Sequence, residues 1–338
     1  LGEWQQALAG QAMSPRVAVI GANSDHQTQA VASRVPNRAG VYDMLGNVWE
    51  LVWTFGDSYA PGASPPLTVM GGDFLYPADP AKRPASPWGH SPHDGAYNIG
   101  LRIVRRAPGG AAPTRAVIDA SVPSWTIGRD TFVASAAPPT KPVIDLALVP
   151  VPNARVEMAR YETTFALWKQ VRDWGVAHGY VTDYDGDMGS MDYWGFDPAD
   201  GVAEPPQVHV SAEPVTDITF YDMAVWCNAL SELTGRKPVY YADPKCQSVY
   251  RKAVKFRPIQ FHFPEDYISK YGTPEETETP AVGMGAGASH SLPGVYAVDA
   301  VQRVLPPLYV EKQADGFRLP TIGEYQQAAF SNGHEYPW

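Results

Sequence analysis

One helix is written twice in this chain. Residues 321–333, TIGEYQQAAFSNG, open on a T-x-x-E capping box. In such a box the Thr321 hydroxyl accepts a backbone N–H and the Glu324 carboxylate reaches back to the first amide. Gly333 is placed to stop the helix. Residues 1–10, LGEWQQALAG, repeat the body without the cap: Gly2 matches Gly323, Glu3 matches Glu324, and Gln5 and Gln6 match Gln326 and Gln327. Ala7 matches Ala328, and Trp4 stands where the later copy has Tyr325. Internal similarity constrains a fold before any single motif does. Here it puts equivalent segments at both ends of the chain.

The body between them is loop-rich and aromatic. The 338 residues include 33 prolines and 30 glycines, with 10 tryptophans and 18 tyrosines, which argues against a helical bundle. Hydrophobic residues at 44% and charged residues at 18% fit a globular chain of two domains, or one large domain with insertions. A net charge of −10 makes nucleic acid an unsuitable partner. No apolar run reaches bilayer-spanning length, so no membrane span is expected. Two cysteines, Cys227 and Cys246, cannot make a disulfide framework.

The densest local signal is at residues 41–51, VYDMLGNVWEL. Gly46-Asn47 is a tight-turn dipeptide, because both residues tolerate positive φ. Val48, Trp49, Leu51, Val52 and Trp53 follow as an apolar cluster with Glu50 as its one charge. A carboxylate in such company must be paired, metal-bound or turned to solvent. Two readings are open. In one, Asn47 staples a turn and Glu50 bonds a nearby amide or Arg; the residues by themselves favour this. In the other, Asn47, the Val48 carbonyl and Glu50 supply the hard oxygens that calcium takes, with Asn23 as an outlying further ligand.

The pattern YDMxGNVWE, then Gly71 to Phe74 (GGDF), then Asn98 to Arg102 (NIGLR), resembles the formylglycine-generating enzyme, or sulfatase-modifying factor, family. The resemblance implies an α+β, variant C-type-lectin-like fold, with mixed short strands and few helices. It lends weight to calcium at Asn47, Val48, Glu50 and Asn23. Residues 316–325, GFRLPTIGEY, resemble the family's G-[YF]-R-L-P-T segment. Glu162, Thr164, Trp168 and Val171 fall on its E-V-T segment, and residues 214–235 on its P-V-x-x-V segment.

In that family the RLPT helix lies mid-domain and the GNVWE segment follows it. Here the order is inverted. Residues 1–106 are expected to be the second half of one module and 146–338 the first half of another. Residues 107–145 form a Pro/Ala/Gly-rich linker with short strands near 116–122 and 125–133. A tandem fragment and a circular permutant both fit; the duplicated helix favours the fragment. Each half carries an apolar face with too few elements to cover it, so the two are expected to pack into one body. Leu167, Val171 and Trp174 form one helical stripe, and Phe220, Cys227, Leu230 and Leu233 another. Residues 101–104 alternate as an edge strand would.

The family's copper-binding cysteines would fall at Tyr76 and Ala81. Neither is a cysteine, so a thiolate Cu(I) site is not expected in 70–106. His90 and His93 sit in a Pro-rich loop and read as solvated. Asp183, Asp185 and Asp187 begin like a calcium loop, yet its twelfth position is Trp194, and a polar surface loop is the plainer reading. The expected function is a binding or scaffold module for a protein or glycan ligand. The alternative is part of a non-haem-iron or other oxidoreductase whose metal ligands lie outside this chain. A secreted or periplasmic setting is expected.

Overall fold

The computed structural model describes residues 15, 17–37, 39–53, 67–76, 95–107, 122–127, 130–135, 146–189, 208–254, 261–262, 296–297 and 307–329. It is a mixed α+β body of short strands in small sheets with few helices.

The two segments share a sheet. The strand Val104–Arg106 lies between Phe317–Arg318 on one side and Val156–Ala159 on the other, with Leu148–Pro150 outermost. The edge strand expected over 101–104 is corrected in both extent and place: the strand runs over 104–106 and is interior. Both neighbours come from the other segment, so nothing local could reveal them. A second sheet places Trp49–Trp53 between Leu67–Met70, antiparallel, and Ile99–Gly100, parallel.

Three helices are described. Phe165–Ala177 is capped by Thr164, whose hydroxyl accepts from Leu167 N at 3.2 Å. Its buried face is Phe165, Trp168, Val171 and Gly175. Leu167 and Trp174 only flank the core, so the buried stripe is rotated from the expected one. The cause is Trp168, which stacks on Trp226 at 5.4 Å and turns its own face inward. Phe220–Leu233 begins in a complete Thr219/Asp222 capping box and is buried on nearly every side. Past its end Gly235 takes φ +70°, the left-handed conformation that closes a helix. Ile322–Ala329 starts in the predicted box: Glu324 N donates to the Thr321 hydroxyl and Thr321 N to the Glu324 carboxylate. The other copy, residues 1–10, and Gly333 lie outside the described residues.

Two apolar clusters make the core, and both draw on both segments. One joins Leu51, Trp53, Ile99 and Leu101 to Trp168, Phe220, Leu230 and Phe317. The other joins Ile20, Val41, Met44 and Val104 to Met158 and Tyr325. Apolar area removed from water is worth roughly 25 cal/mol per Å². That is the drive that brings the two segments together as expected.

Between them, Val122–Ile127 and Asp130–Ser135 form a hairpin, with Ile127 opposite Asp130. The expected second strand, 125–133, thus contains the turn.

Candidate functional site

The Gly46-Asn47 turn is built as its sequence predicts. Gly46 sits at φ +80° and Asn47 at φ +63°. A Cβ on Gly46 would lie 2.1 Å from the Val19 carbonyl oxygen, so only glycine fits. The Asn47 side chain staples the turn: its Oδ1 accepts from Gln29 N at 2.9 Å and its Nδ2 donates to the Gln29 carbonyl at 3.2 Å. The same Nδ2 donates to Glu162 Oε2 at 2.7 Å.

Glu50 is wholly buried and faces Arg102, also wholly buried. Arg102 Nη2 donates to Oε1 at 2.7 Å and Nε to Oε2 at 2.9 Å, a two-pronged pair. The guanidinium also donates to the carbonyls of Tyr42 at 2.9 Å and Ala159 at 3.2 Å. One side chain thus ties the GNVWE turn, the NIGLR segment and the strand Val156–Ala159 together. Asn23, the outlying candidate ligand, holds its own loop: Oδ1 accepts from Ile20 N, and Nδ2 donates to the Pro15 and Ala18 carbonyls. Val48 packs its side chain toward Gly100 in the core. This is the stapled-turn arrangement. Of the expected calcium ligands Asn47, Val48, Glu50 and Asn23, Glu50 has both oxygens taken by Arg102, so a cation there would have to displace the guanidinium. No group of three or more His, Cys, Asp or Glu residues suited to a metal ion is present among the described residues.

Around Arg102 the charges do not balance. Asp43, Glu50 and Glu162 are all buried beside this one cation. Burial, reinforced by the charges of Asp43 and Glu50, pushes the Glu162 carboxyl well above the usual carboxylate range. Burial also raises Asp43, against the Ala32 amide and Arg102. For Arg102, burial works against the charge, but Glu50 more than offsets it and the guanidinium stays protonated. Among the described residues, Glu162 Oε1 and Asp43 Oδ1 have no hydrogen-bond partner. The sequence did not reveal Glu162 as a member, because its Asn47 partner is 115 positions away.

Next to it, Asp73 of the GGDF turn accepts from Asn98 Nδ2 at 2.5 Å and Leu75 N at 3.1 Å. Burial pushes its carboxyl up to about 6. Tyr76, at a copper-cysteine position of the resembled family, is buried edge-on against Trp49 at 5.4 Å. Ala81, His90 and His93 lie outside the described residues. Cys227 is buried in the core and Cys246 is partly exposed; both are free thiols, and burial pushes both upward.

Two further groupings complete the polar interior. The Thr28 hydroxyl and His209 Nδ1 each bond Glu213 Oε2 at 2.7 Å, a buried trio that no spacing announced. In the acidic loop, Asp185 pairs with Arg172, Asp187 Oδ1 accepts from Met188 N, and Asp183 N donates to Asp222 Oδ1.

The model of the sulfatase-modifying factor enzyme 1-like domain family matches residues 2–107. Residues 2–107 are thus similar to that family's domain. The matched segment contains the GNVWE turn, the GGDF turn and the NIGLR strand, and with them the Glu50–Arg102 and Asp73–Asn98 pairs. No curated protein and no solved structure matches the chain. Among the described residues, no helix is long and apolar enough to cross a membrane.

Proposed function

We propose that this chain is a binding or scaffold module of the sulfatase-modifying-factor type, with a variant C-type-lectin-like fold and a protein or glycan ligand. One observation carries the reading: Tyr76 and Ala81 stand where the resembled enzymes bind copper through two cysteines. A phenol packed edge-on against Trp49 cannot replace a thiolate as a soft ligand. Neither cysteine of the chain can take over, since Cys227 is core and Cys246 lies in the other segment. Arg102 on Glu50 also serves as a structural clasp, which suits a scaffold. The calcium expectation adds no weight, because that clasp already occupies both Glu50 oxygens.

The second reading is a part of a non-haem-iron or other oxidoreductase whose metal ligands lie elsewhere. Metal analysis of the purified chain tests the two together. The binding-module reading expects neither copper nor iron near one equivalent. Either metal retained at that level through dialysis would overturn it. A secreted or periplasmic setting goes with the reading and is checked by fractionating cells that express the full reading frame.

A further inference from the structure

We draw no further inference here: the strongest candidate, the buried side-chain cluster in which Asp43 Oδ1 and Glu162 Oε1 lack hydrogen-bond partners among the described residues, belongs to the site already described around Arg102, and nothing brings those two oxygens onto one ligand.

Discussion

Arg102 and Glu50, 52 positions apart, form a two-pronged ion pair in which neither side chain touches solvent. The pair closes the GNVWE turn onto the NIGLR strand, and through Ala159 it reaches the second segment.

Breaking this pair should be costly. Arg102→Met leaves Glu50 buried without its cation, beside Asp43 and Glu162, and should destabilise the fold by about 3–5 kcal/mol. The double variant Glu50→Gln/Arg102→Met should recover part of the loss, since no orphaned charge remains. Urea unfolding of the three proteins checks the order. An Arg102→Met variant as stable as the parent would contradict the clasp.

Gly46→Ala should be among the most damaging single-methyl additions. The new Cβ would meet the Val19 carbonyl oxygen at 2.1 Å, at φ +80°, and the obstacle is backbone. Loss of more than about 3 kcal/mol, or failure to fold, is expected. Gly40→Ala is the control, because that site has φ +77° but open space. It should cost only the conformational term, about 1 kcal/mol.

Asp217 makes stability depend on pH. Its Oδ1 is shielded without a hydrogen-bond partner among the described residues, and burial, with the nearby Asp187 charge, pushes its carboxyl up to about 8. An acid that holds its proton more tightly when folded stabilises the fold below its unfolded value of 3.8. That contribution is lost as pH rises through about 8. Asp217→Asn keeps the neutral form and suits the residue's φ of +54°. It should raise stability above pH 8 by at least about 1 kcal/mol and flatten the profile between pH 4 and 8. Unchanged pH curves would show that Asp217 titrates normally.

Calcium should have little effect on the folded chain. With Arg102 on Glu50, millimolar calcium is expected to shift Tm by under about 1 °C, and chelation likewise. A rise of several degrees that Asn47→Ala abolishes would restore the oxygen-ligand reading.

Local chemistry was legible from sequence. The capping box at Thr321 and the Gly46-Asn47 turn depend on residues within a few positions of one another, so spacing alone encodes them. The family motifs were legible for the same reason, each being a short stretch of contiguous backbone.

Whatever depends on a distant partner was not. Whether Glu50 meets a cation or an arginine is decided by the approach of the NIGLR strand. Residues 104–106 become interior only because Phe317–Arg318 and Val156–Ala159 flank them. Trp168 displaces the predicted helix stripe because Trp226, 58 positions on, offers it a stacking face. Burial, and with it the upward push on the Glu162 carboxyl, exists only once both segments close around Arg102. Short-range hydrogen bonding and backbone preference act along the chain, so the sequence determined them. Desolvation and charge pairing act across space, so only the tertiary structure decided them.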